Sequence, residues 1–151
     1  MTTIRSEHAA PHHEEIRLQV KPAAGGGHVD GAWWPRSRDS GVEFPAAIAA
    51  VRAKVGQVER ISYHLGDGWE VSQRKLVVDG RLVRLEGFHA MPANTVTLIG
   101  TQQRRLTLLV VAPDTRSETA TAVLRTAADP DSTASVEEIL AGRASEEPRN
   151  R

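Results

Sequence analysis

Within the stretch Arg105-Leu106-Thr107-Leu108-Leu109-Val110-Val111-Ala112, the run Leu106 to Val111 is nearly continuous in apolar character. A short run of this kind, without helical spacing, reads as a central strand covered on both faces, at least in part. Just upstream, Thr95 to Ile99 is a second β-type run, joined to the first across Gly100 to Arg104 as a hairpin. Further back, Leu76 to Val78 and Leu82 to Leu85 flank Asp79-Gly80. Asp-Gly between two apolar strands is among the clearest short-range hairpin signals, because both turn residues tolerate positive φ. In the second arm Val83 and Leu85 point one way, and Leu82, Arg84 and Glu86 the other.

Val58 to Leu65 alternates in the same manner, with Ile61, Tyr63 and Leu65 on one face and Ser62 and His64 on the other. Gly66-Asp67-Gly68 then turns the chain before Trp69. Preceding it, Phe44, Ile48, Val51 and Val55 make one apolar stripe at helical spacing, with Pro45 suited to the first turn and Gly56 to the C-terminal cap. Ile16, Leu18 and Val20 alternate with Arg17, Gln19 and Lys21 as a first strand ended by Pro22. Beyond the central run, Thr115 and Glu118 have capping-box spacing for a helix carrying Ala120, Val123, Leu124 and Ala127. Ser135 and Glu138 repeat the box for a short third helix with Val136, Ile139 and Leu140 inward. The sum predicts an α+β fold: a mainly antiparallel sheet of about six strands in meander order, with two or three helices on one face. The uncovered face would carry His64, Arg84, Glu86, Thr95 and Thr97. Residues 16–141 form the expected single domain, between a polar N-terminal tail at 1–15 and a charged C-terminal tail at 142–151, both read as disordered.

Composition narrows the function classes. Among 151 residues, 19 are basic and 19 acidic, so the formal net charge is zero, against a general nucleic-acid or anionic-membrane binder. Cysteine is absent, which removes disulfides, thiolate chemistry and Cys-ligated zinc. No apolar run approaches a membrane span, and no signal-peptide pattern opens the chain, so a cytoplasmic protein is expected. His8, His12 and His13 lie beside Glu14 and Glu15, but a tail does not hold the fixed geometry of a metal site. Gly25-Gly26-Gly27 runs into His28-Val29-Asp30 with no Lys-Ser/Thr sequel, so it reads as a loop and not as a phosphate cradle. No metal and no cofactor is expected.

One stretch stands apart: Asp30-Gly31-Ala32-Trp33-Trp34-Pro35-Arg36-Ser37-Arg38-Asp39. Successive side chains of an extended segment point to opposite sides, so one Trp enters the core and the other lies in a groove or against a neighbour. Arg36 and Arg38, two apart, would face the same way as a fork for a carboxylate or phosphate. The plainer reading is a packed aromatic with Arg36 or Arg38 stacked on it, and Asp30 and Asp39 pairing with those arginines. Asp30, Trp33, Trp34, Arg36, Arg38, Asp39, His64 and Trp69 are therefore the candidate ligand- or partner-binding residues. The stretch reads as a loop, and the expected function is a binding or interaction module in which this Trp/Arg loop and the polar sheet face form a shallow site, with an anionic small molecule, a protein partner or a second copy of the chain as occupant. The alternative is a small enzyme using His64 with Asp30 or Asp39 and an arginine clamp.

The tryptophan stretch, together with Ile61 to Leu65, Gly80 to Phe88 and Arg105 to Thr115, resembles a family of uncharacterised actinobacterial proteins described only as a domain of unknown function. The resemblance runs from about Ile16 to Leu140. It implies a bacterial cytoplasmic protein and carries over no activity, substrate, cofactor or catalytic residue.

Overall fold

The computed structural model describes residues 15–22 and 28–141. The two expected tails, apart from Glu15, and the glycine link at 23–27 lie outside the described residues. Among the described residues, seven strands form one sheet: β1 (Leu18–Val20), β2 (Gly31–Trp33), β3 (Val58–His64), β4 (Lys75–Val78), β5 (Arg81–Phe88), β6 (Thr95–Gly100) and β7 (Arg105–Val110). Their order across the sheet is β1-β2-β7-β6-β3-β5-β4. Three α-helices accompany them among the described residues: α1 (Ser40–Val55), α2 (Ser117–Ala128) and α3 (Val136–Leu140).

The broad α+β class is as the sequence implies, but the sheet is mixed and not mainly antiparallel. β2 runs parallel to β7 and β3 parallel to β5, while the other neighbours are antiparallel. Both hairpins form as expected. Asp79 (φ 52) and Gly80 (φ 77) take the left-handed conformation that a two-residue hairpin turn demands. The meander breaks between β3 and β4, because the connection at 65–74 is long enough to carry the chain past the sheet end. β4 then lands at the outer edge, and β5 folds back between it and β3.

The Gly31–Trp33 segment, expected as loop, is a strand. Its bonding begins one residue early: Asp30 N–H donates to the Thr107 carbonyl (2.8 Å), and the Asp30 carboxylate accepts from Thr107 N–H (2.8 Å). Gly31 is required where β1 crosses it, because a Cβ there would overlap the Gln19 carbonyl oxygen.

Helices cover both faces, not one. Trp33, Leu108 and Val110 look into a core closed by Phe44, Ile48, Val51 and Val55 of α1. Ala32, Leu109 and Val111, on the alternate positions, look into a second core closed by α2 and α3. Two covered faces require the continuous apolar run that β7 displays. Asp39 caps α1 by accepting from Gly41 N–H (3.0 Å), and Gly56 (φ 73) ends it. The Ser135–Glu138 capping box forms in both directions, at 3.1 and 2.9 Å. The Thr115–Glu118 box does not: Thr115 N–H bonds the Ala112 carbonyl in a turn, and α2 starts two residues later without a side-chain cap.

α2 and α3 cover only the β1-β2-β7 side of their face. Among the described residues, no helix packs on the same face of β6, β3, β5 and β4.

Candidate functional site

The tryptophan stretch is built into the scaffold. Trp33 is 1% exposed and stacks on Trp69 at 5.5 Å between centroids, with Phe44 tilted 4.8 Å from Trp69. Trp34 points to the opposite side, half-buried against the second core, and its indole N–H donates to the Pro113 carbonyl (3.3 Å). The cation over Trp34 is Arg17, 3.6 Å from the ring centroid, whose guanidinium also donates to the Trp34 and Pro35 carbonyls at 3.0 and 3.2 Å. The reading that a packed Trp would carry an arginine lid is right in kind. The arginine comes from the chain segment leading into β1, which the sequence offers only as a polar strand position.

Arg38 lies 5.5 Å over Trp69, on the other face from Trp34, so Arg36 and Arg38 form no fork around a common platform with Trp34. One guanidinium nitrogen of Arg38 and the Trp69 indole nitrogen are buried and find no hydrogen-bond partner among the described residues. Arg36 is exposed, and its backbone N–H donates to Glu43 (3.3 Å). Asp39 caps α1 and Asp30 bonds Thr107, and among the described residues neither carboxylate meets His64. His64 pairs instead with Asp67, Nδ1 to Oδ1 at 3.0 Å. The second Asp67 oxygen accepts from Asn94 N–H (2.7 Å), which fastens the turn after β3 to the turn before β6. The His64–Asp30 or His64–Asp39 pair of the enzyme alternative is thus not assembled.

What the structure does assemble is the uncovered sheet face. Strand register lines its residues into rows across the sheet. Lys75 is directly opposite Arg84, Arg84 beside Arg60, Arg60 opposite Ile99, and Ile99 opposite Arg105. Four cations on four strands therefore share one row, interrupted by a single isoleucine. The next row is Glu86, Ser62, Thr97 and Thr107, with the two threonine hydroxyls 3.0 Å apart. His64 stands beside Phe88 in the row after that. The expected uncovered set is present, except that Thr95 is buried and donates to the Pro92 carbonyl (2.7 Å).

Glu86 is the carboxylate nearest the cation row, 3.8 Å from Arg60. Lys75, Arg84 and Arg105 have no ion pair among the described residues. Like charges directly opposite on neighbouring strands are destabilising, so this row costs stability in the isolated chain. Two shallow depressions flank Arg60. One, about 380 Å³, is lined by Glu59, Leu82, Arg84 and Gln103; the other, about 300 Å³, by Ser62, Phe88, Met91, Thr97 and Arg105. Val77, Leu82 and Phe88 leave large apolar surfaces exposed on the same side. The row was not visible in the sequence because its members come from four strands. The available signal was their alternation: Arg60, Arg84 and Lys75 each occupy the polar phase of their strand.

Among the described residues no group of three or more potential ligands could hold a metal ion, and no helix is long and apolar enough to cross a membrane. Residues 17–127 match the model of one protein family, described as a family of unknown function (DUF5994). No curated protein and no solved structure matches the chain.

Proposed function

The chain belongs to the family of unknown function DUF5994, and we propose that it works as a binding module for an anionic partner, through the uncovered face of the sheet. The observation that carries this reading is the row Lys75, Arg84, Arg60 and Arg105. A row of like charges in register violates a local rule of sheet stability, and such violations concentrate at functional sites. Arginine is the residue of choice for planar, bidentate recognition of carboxylate and phosphate. The neighbouring hydroxyls of Ser62 and Thr97 add neutral donors, and exposed Phe88 and Leu82 add apolar contact. In this reading the tryptophan stretch acts as scaffold: Trp33, Trp69, Asp30 and Asp39 hold the sheet and α1 in place.

The test uses tripolyphosphate and citrate as multivalent probes, compared with chloride at matched ionic strength. Binding to the folded state alone raises stability by RT ln(1 + [L]/Kd), about 2.7 kcal/mol at a hundredfold excess over Kd. The wild-type melting temperature should rise with the probes, and the rise should vanish in the Arg60→Thr/Arg84→Thr variant. An equal rise in both proteins is a general salt effect and removes the proposal.

A further inference from the structure

We infer that the notch where β4 stops short along β5 is a strand-addition site for an acidic, extended peptide segment of a partner protein. This rests on the anion-binding reading above and names the class of partner.

β5 has eight residues, but β4 pairs only with Arg81 to Arg84. One further bond follows, from Leu85 N–H to the Arg74 carbonyl (2.7 Å). Upstream of Arg74 the chain leaves the sheet: Trp69 seats on Trp33, and Glu70 bonds Arg38 and Ser40. Among the described residues, Glu86 to Phe88 therefore have no strand neighbour on that side. Backbone groups alternate in direction along a strand. Since Leu85 turns its N–H towards the β4 side, Gly87 does so too, and no bond to Gly87 N–H or C=O is found on that side among the described residues. An incoming extended segment would meet a ladder position with donor and acceptor both free, as in strand-addition complexes.

The surroundings state what that segment should be. The open depression at the notch measures about 560 Å³ and is lined by Arg74, Lys75 and Arg84, against the one carboxylate Glu86. Glu86 is itself drawn towards Arg60. Leu65 and Phe88, each 44% exposed, flank Gly87 on its two faces. Acidic side chains would meet the cations, and apolar ones would lie on Leu65 and Phe88. Exchanging Gly87 would not test this cleanly, because a Cβ there would displace Leu65 and crowd Tyr63. Its amide serves as the reporter instead.

The experiment titrates the 15N-labelled protein with an end-blocked peptide of alternating Glu and Val, and with the same peptide N-methylated on alternate backbone amides. The expected result is a shift and slowed solvent exchange of the Gly87 amide with the first peptide. Affinity should fall at least about tenfold on N-methylation and again in Lys75→Glu, equivalent to about 1.4 kcal/mol each. Equal binding of both peptides, still lost in Arg84→Thr, overturns strand addition and leaves the anion-binding face standing. Failure of both peptides, together with loss of the polyanion effect, overturns both readings.

Discussion

Replacing Arg84 by Thr is expected to make the protein more stable at low salt. Arg84 stands directly between Lys75 and Arg60 in the cation row. Neighbouring strands lie about 4.8 Å apart, and splayed side chains put the charged heads roughly 6 Å from one another. In water two unit charges at that distance repel by about 0.7 kcal/mol, so two such pairs cost about 1.4 kcal/mol before relief. Side-chain rearrangement at an exposed site removes roughly half of this. Threonine keeps the strand preference that arginine's position needs. The expected gain is therefore about 0.7 kcal/mol at 0.01 M salt, or roughly 2–3 °C in melting temperature for a chain of this size. At 1 M salt the screening length falls from about 30 Å to about 3 Å, and the gain should nearly vanish. Thermal and urea unfolding of wild type and Arg84→Thr at both salt concentrations reads this out. A destabilised variant at low salt, or a gain that salt leaves unchanged, would refute the claim that the row carries uncompensated charge.

Three other outcomes follow from the packing. Trp33→Ala should cost about 3–5 kcal/mol, as for a fully buried large aromatic, whereas Trp34→Ala should cost distinctly less because half its surroundings are solvent and Arg17; urea midpoints separate the two. Arg17→Ala should lose about 1 kcal/mol and shift tryptophan emission to longer wavelength as Trp34 is uncovered, while Arg36→Ala should leave emission unchanged. Gly31→Ala should destabilise by about 1–3 kcal/mol through backbone overlap with β1, measured as a lowered melting temperature, despite alanine's small size.

Element type was legible wherever local pattern decided it. The stripe Phe44, Ile48, Val51 and Val55, the Asp79-Gly80 turn and the Ser135–Glu138 box each act within a few residues, and each forms as its spacing implies. Thr115 shows the limit of such spacing: the same box pattern yields to a turn made by Ala112 to Thr115. Gly31 to Trp33 was not legible as a strand, since three residues carry no period. They become one only because β7 supplies Thr107 to Asp30, and because the space between β7 and α1 accepts an indole.

The candidate site divides along the same line. That Trp33 and Trp34 must point to opposite sides follows from strand geometry and holds in the fold. That Arg17, and not Arg36 or Arg38, covers Trp34 depends on β1 lying beside β2, a long-range pairing with no local mark. The sequence by itself determined the composition limits, most of the elements and the phase of the strands whose alternation it showed. It thereby determined that Arg60, Arg84 and Lys75 turn away from the α1 core. Only the tertiary structure decided that they stand in one row and that β4 ends before β5 does. Register is set by long-range backbone pairing and core packing, and residues dozens of positions apart cannot announce it in their own neighbourhoods.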